Sequence, residues 1–177
     1  MIKSHHFKFG PFFINEVLTY KYLGIELDYK LSFQEFKSKS ITKARSNIGR
    51  ISAMGIRSGF LSVSASLNLW EALVRSNLEY GSELWGFDKW PQGEQVQITM
   101  AKRILRCFTK ATNEAVLGDL GLWSRQGRRN LKKLIYWRKI LFLPDSKLVK
   151  QAYLFSKSSN KKSNWANGIK NYYLNIN

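Results

Sequence analysis

From Phe7 to Asp28 the chain is rich in Phe, Ile, Val and Tyr, is punctuated by Gly10, Pro11 and Gly24, and alternates only in part. That pattern favours short strands over helix. Two or three strands in a hairpin are predicted, the best of them carrying Val17, Leu18, Tyr20, Tyr22, Leu23, Ile25 and Leu27. The period then changes. Ser32 followed by Glu35 is a capping-box pattern that opens a helix to about Ala53. Met54 to Leu61, with Gly55 and Gly59, reads as a loop, after which Ser62 can cap a helix whose apolar face runs Val63, Leu67, Trp70, Val74 and Leu78. Glu79 to Gly86 breaks that pattern, with Gly81 and Gly86 at turn positions and Pro91 closing the segment.

From Glu94 to Lys110 a third long helix is predicted, with Ile98, Ala101, Ile104, Leu105 and Phe108 on one side and Lys102, Arg106 and Lys110 on another. A linker through Leu117, Gly118 and Gly121 leads to Ser124 as the cap of a helix to about Leu143. This helix sets Leu131, Leu134, Ile135 and Leu141 inward and Arg125, Arg128, Arg129, Lys132 and Lys139 outward. Pro144 stops it, and Asp145 can cap a last helix to about Lys157 with Leu148, Val149, Ala152 and Phe155 apolar. The expected fold class is mainly α: a short N-terminal β hairpin followed by about five helices. Its parts are a hairpin over residues 1–30, a helical body over 31–157, and a loosely ordered basic tail over 158–177 that is rich in Ser, Asn and Lys. There is no internal repeat of fixed period and no heptad run long enough for a coiled coil.

Composition agrees with a folded body. The 177 residues are 44% hydrophobic and 14% aromatic with only three Pro, enough to bury a core in one domain, or one and a small appendage. The charge changes the picture more. Lys and Arg number 29 against 12 acidic residues, a net +17, and such an excess repels itself unless a polyanion relieves it. It is also uneven. Between residues 102 and 139, Lys102, Arg103, Arg106, Lys110, Arg125, Arg128, Arg129, Lys132, Lys133, Arg138 and Lys139 face only Glu114 and Asp119, whereas acidic residues prevail from Arg57 to Glu94. Successive helices of one polarity point to a surface that tracks a phosphate backbone. No apolar run approaches a membrane span and no secretory leader opens the chain, so an intracellular, nuclear or cytoplasmic, non-secreted protein is expected. The lone Cys107 allows no internal disulfide and reads as a small buried hydrophobe.

Catalytic constellations are poor by comparison. Metal-dependent phosphoryl transfer needs carboxylates converging on divalent ions, and Asp28, Asp88, Asp119 and Asp145 are far apart with no local motif. His5 and His6 lie near the N-terminus, far from the one Cys, so no zinc spacing exists, and no Walker-type glycine loop is present. Neither a catalytic residue nor a metal site is assigned. The residues by themselves describe a binding module with no small-molecule substrate, and they leave its oligomeric state open.

Three segments, in order, resemble the region that follows the catalytic motifs in non-LTR (LINE-type) retrotransposon reverse transcriptases. Tyr20-Lys21-Tyr22-Leu23-Gly24-Ile25-Glu26-Leu27-Asp28 is similar to the family's aromatic-Leu-Gly strand, the primer grip. The stretch from Leu73 through Leu78-Glu79-Tyr80-Gly81-Ser82-Glu83-Leu84-Trp85 resembles its helix ending in Leu-x-Tyr-Gly-x-x-x-Trp. From Ala101 to Leu141, the pairs Ile104-Leu105 and Thr112-Asn113, the run Leu117-Gly118-Asp119-Leu120-Gly121 and the pair Tyr136-Trp137 resemble its thumb-distal pattern, with Ser124-Arg125 standing where the family usually has a Pro-Leu pair. The resemblance implies an end-of-palm hairpin followed by a helical thumb and thumb-distal region. Tyr22, Leu23 and Gly24 would help place a primer end, and the thumb would hold an RNA/DNA hybrid through Lys102, Arg103, Arg106, Lys110, Arg125, Arg128, Arg129, Lys132 and Lys139. The family's palm uses Mg, but its catalytic Asp residues precede the primer grip and do not occur here, so no cofactor and no polymerase activity are expected of this chain alone. The alternatives are a domesticated helical protein-interaction module and a non-functional element relic.

Overall fold

A computed structural model describes residues 7–56, 58–85, 89–107, 110–158 and 165–174. The chain divides into two compact units, Met1–Lys39 and Ser40–Asn177, and the division falls inside a helix.

The first unit holds two antiparallel hairpins. Strand β1 (Phe7–Phe9) pairs with β2 (Phe12–Ile14), and β3 (Thr19–Tyr22) pairs with β4 (Ile25–Asp28) in the register Tyr20 to Leu27 and Tyr22 to Ile25. Among the described residues there are thus four short strands where the sequence pattern suggests two or three. Leu23 and Gly24 form the tip of the second hairpin at φ 47 and 83. A two-residue turn with both φ positive matches the twist of the flanking strands, so Gly24 is required by backbone conformation. Leu23 accepts a geometry that side chains normally avoid.

Ser32 stands one residue outside the first helix, before Phe33 at φ 55, and accepts from the Gln34 N–H at 3.4 Å. Its hydroxyl and backbone N–H both bond to the Asp28 carboxylate, which holds that carboxyl below its ordinary range, the Ser32 hydroxyl contributing most. Helix α1 (Gln34–Ile51) begins two residues later, and Glu35 accepts from Lys39 one turn on instead of completing a capping box.

The second unit is helical. A π-helical turn (Ser52–Ile56) follows α1 and contains Gly55 at a non-helical φ of 106. Ser62 then accepts from the Ala65 N–H at 3.1 Å and opens one continuous run: α2 (Val63–Leu69), a π-helical segment (Trp70–Arg75) and α3 (Ser76–Glu79). Trp70, Val74 and Leu78 are buried along it, as their spacing predicts, while Val63 is exposed. Helices α4 (Ser82–Trp85), α5 (Pro91–Ile104), α6 (Asn113–Asp119), α7 (Arg125–Leu141), α8 (Leu148–Ser158) and α9 (Trp165–Leu174) complete it.

Three boundaries differ from the sequence reading. Helix α5 starts at Pro91, whose missing N–H costs nothing at a first helical position, and it ends at Ile104, before Arg106 turns to φ 52. The predicted linker contains α6. The predicted tail contains α9, because Trp165 donates to the Glu83 carbonyl at 2.8 Å and stacks edge-on with Tyr136 and Tyr153, and Ile169 is buried. Ser- and Lys-rich composition describes the flanks of that helix and hides its few anchoring residues.

Candidate nucleic-acid interface

The basic residues singled out in the sequence separate into two groups of different chemistry. The first lies on α7. Ser124 accepts from the Gly127 N–H as the predicted cap, and the Glu94 carboxylate accepts from the Arg125 and Gln126 N–H groups at 3.0 and 2.8 Å. A carboxylate there satisfies two free N–H groups and meets the positive end of the helix dipole. It also fixes the rotation of α7. The helix turns Arg125, Arg129, Lys133 and Ile140 inward and leaves Leu131, Ile135, Leu141 and Phe142 exposed, Phe142 at 79%.

This corrects the expected facing of the helix. Two opposed stripes are visible in the sequence, and helical periodicity cannot say which of them faces the core. The usual preference for burying the apolar stripe is overridden here by Glu79 and Glu94 and by two indole faces. Arg125 lies 3.6 Å from Glu79 and over the Trp70 ring at 5.7 Å; Arg129 lies 3.6 Å from Glu94 and over Trp90 at 5.6 Å. Both side chains are fully buried. Arg128 and Lys132, half-buried, reach the same Glu79 carboxylate at 3.1 and 3.0 Å. Helix α8 repeats the inversion, burying Lys150, which donates to the Leu141 carbonyl at 2.7 Å, while Leu148 and Phe155 are exposed.

Electrostatics follow from this geometry. Burial pushes the Glu79 carboxyl up, but Arg125, Lys132 and Arg128 outweigh it and hold the group below its ordinary range. Burial pushes the Arg125 guanidinium down to about 10, against the pull of Glu79 and with repulsion from Arg129; it stays charged at neutral pH. Arg129 is likewise lowered by burial, opposed by Glu94 and Glu79. Arg125, Arg128, Arg129 and Lys132 are therefore structural cations tied to carboxylates.

The glycine-tryptophan segment before α5 supports this cluster. Leu78 is buried, Gly81 turns the chain at φ 62, and Trp85 donates to the Tyr80 carbonyl at 3.0 Å. Trp85 then meets Trp90 edge-on at 5.2 Å. Gly93 lies so close beneath Trp90 that a Cβ would fall 2.7 Å from its ring. Gly93→Ala is expected to cost about 1–3 kcal/mol through overpacking, of which the better helix propensity of Ala returns only about 1 kcal/mol. A lowered midpoint in urea checks this.

The second group lies at and beyond the end of α5. Lys102 and Arg103 are partly exposed on its last turn, Arg106 and Lys110 are exposed beyond it, and Lys139 is exposed near the end of α7. Arg106 and Lys110 thus continue no helical face. The Arg106 guanidinium lies against Gly59, where a Cβ would come within 2.5 Å of it. Arg103 donates to the Ser52 hydroxyl at 2.9 Å. In the first unit, the Tyr22 and Leu23 side chains are exposed, as are Phe9, Phe12, Phe13 and Tyr20, an apolar concentration of the kind that marks interaction surfaces.

Among the described residues no group of three or more His, Cys, Asp or Glu could hold a metal ion, and no helix is long and apolar enough to cross a membrane. No family model matches the chain, and no solved structure does. The chain is similar to the RNA-directed DNA polymerase from mobile element jockey of Drosophila melanogaster, with 29% identity over 88 residues. The match covers 50% of this chain and 10% of that polymerase. The similarity supports a relationship between this chain and retrotransposon reverse transcriptases.

Proposed function

We propose that this chain is a nucleic-acid-gripping segment of a retrotransposon RNA-directed DNA polymerase, a primer-grip hairpin followed by thumb helices, which holds an RNA/DNA template-primer and does not polymerise alone. The observation that carries the reading is the second basic group: Arg103, Arg106, Lys110 and Lys139 form no ion pair with a carboxylate among the described residues, unlike the α7 cations, and Lys102 stands beside them, partly exposed. Hybrids close to A-form are held mainly by shape and phosphate contacts, and exposed cations on a chain of net charge +17 suit that task. The exposed tip of the second hairpin, Tyr22-Leu23-Gly24, is the part of the first unit proposed to meet a primer end.

Affinity for a labelled RNA/DNA hybrid, measured at several salt concentrations, tests the reading. Each phosphate contact removed should flatten the dependence of log K on log salt by about 0.7–0.9. Arg106→Ala, Lys110→Ala and Lys139→Ala should each do so while the fold is retained. Arg128→Ala and Arg129→Ala should instead lower stability. Unchanged affinity and slope in a triple variant of the exposed residues would discard the assignment. A second reading, a protein-docking module, is favoured by the exposed apolar residues of α7 and α8. A chain that ignores polyanions would turn the choice toward it.

A further inference from the structure

Between α1 and α5 lies a pocket of about 250 Å³, lined by Arg45, Ile48, Gln95, Val96, Thr99 and Arg103. Its composition is specific. Ile48 and Val96, both almost fully buried, supply an apolar surface, and two guanidinium groups stand beside it with no carboxylate in the lining. Among the described residues no acidic side chain pairs with Arg45 or Arg103. This contrasts with α7, where each arginine of the buried cluster is neutralised by Glu79 or Glu94.

Arg103 is also held in place. Its guanidinium donates to the Ser52 hydroxyl at 2.9 Å, and that hydroxyl donates to the Ile48 carbonyl at 2.7 Å. The relay fixes the fork to the backbone of α1 and lowers the entropy lost when the remaining N–H groups engage a ligand. Thr99 is oriented in the same way, donating to the Gln95 carbonyl at 2.8 Å, which leaves its oxygen lone pairs and the Gln95 amide as polar groups at the wall.

We propose that this pocket is a seat for one sugar phosphate: Arg45 and Arg103 take the phosphate, and the pentose lies on Ile48 and Val96. Planar guanidinium forks match phosphate oxygens in bidentate pairs. The volume lies just below the usual range of ligand pockets, which suits a single phosphorylated pentose and excludes a stacked dinucleotide. The proposal rests on the nucleic-acid reading only for the source of the phosphate, which could be the polymer backbone or a free nucleotide. Arg45 enters the binding surface here although it lies outside the basic stretch of residues 102–139.

The test is a titration of the ¹⁵N-labelled full chain with ribose 5-phosphate at constant ionic strength, with ribose as control. Saturable shifts confined to the amides around Arg45, Ile48, Gln95, Thr99 and Arg103 are expected, with none from ribose. Arg45→Ala and Arg103→Ala should each weaken binding about tenfold, and replacement of the exposed Lys147 by Ala should leave it unchanged. Arg45 is exposed and tied to no described carboxylate, so its variant should fold normally even if Arg103→Ala does not. If Arg45→Ala also weakens binding of the RNA/DNA hybrid, the phosphate belongs to the backbone; if hybrid binding is untouched, the seat serves a free nucleotide, and either result upholds the site. Shifts that do not saturate, or that spread over the basic surface and ignore Arg45→Ala, would overturn it, whether or not the hybrid binds. Sugar-phosphate binding by a chain that does not bind the hybrid would uphold the pocket and reject the gripping role.

Discussion

Replacing Glu79 by Ala is expected to cost about 3–5 kcal/mol, because removing one partner from a buried ion pair leaves the other as an uncompensated charge. The side chain is almost fully buried and serves Arg125, Arg128 and Lys132 together. Arg125, also fully buried, keeps the Trp70 face and the weaker pull of Glu94 when the carboxylate is gone. Glu79→Gln retains an acceptor oxygen without the charge and should fall between wild type and Ala. The double variant Glu79→Gln with Arg125→Met removes both charges and should recover much of the loss, since a buried pair is often replaceable by apolar side chains of similar volume. Denaturant midpoints of wild type, Glu79→Gln, Arg125→Met and the double variant form the cycle that measures the coupling. Additive effects would show that the two residues do not act as a pair.

The same site sets a pH dependence. The Glu79 carboxyl is held below its unfolded value of 4.5, so its contribution to stability is fully present above that value and is lost as the pH falls through the folded one. Acid should therefore unfold the chain at a higher pH once Glu79 is Gln. Arg125 works in the opposite sense. Its folded value, pushed down to about 10, lies below its unfolded one, so it costs stability at neutral pH, and that cost is relieved only as the pH rises past about 10.

Trp70→Ala is expected to be comparably damaging, at about 3–5 kcal/mol for emptying a large buried aromatic site. Trp70 is 1% exposed, sits in the π-helical segment and carries the Arg125 guanidinium on its ring. Two losses therefore coincide, the cavity and the cation–π contact. Trp70→Phe should cost much less. It keeps an aromatic face and removes an indole N–H that has no hydrogen-bond partner among the described residues. Equal losses for Ala and Phe, read from urea midpoints at matched slopes, would contradict this account and place the importance of Trp70 in its indole nitrogen.

These expectations alter what a loss of nucleic-acid binding would mean. Charge reversal at Arg125, Arg128, Arg129 or Lys132 would abolish binding through misfolding, whereas substitutions at Arg106, Lys110 or Lys139 report on the surface itself. A melting curve taken beside each affinity separates the two.

Much of the fold was legible in the chain. The mainly α class, the hairpin, the Ser62 and Ser124 caps and the buried Trp70-Val74-Leu78 face follow from local preferences, whose causes lie within a few residues. The helix over Asn113–Asp119 and the one over Trp165–Leu174 were not legible. Gly118 inside the first, with Gly121 just after it, and polar flanks around the second mask elements held by tertiary contacts. The basic character of residues 102–139 was equally plain, but its division was not. Sequence period places Arg125, Arg129 and Lys133 on one stripe and Leu131 and Ile135 on another. The direction of that stripe depends on Glu79 and Glu94, 46 residues before Arg125 and 35 before Arg129, and on the indoles of Trp70 and Trp90. The sequence by itself determined the charge, most of the elements and the likeness to a mobile-element polymerase. Only the tertiary structure decided which cations are spent within the core and which remain exposed, because the guanidiniums of Arg125 and Arg129 face inward where folding supplies a carboxylate and an aromatic face to receive them.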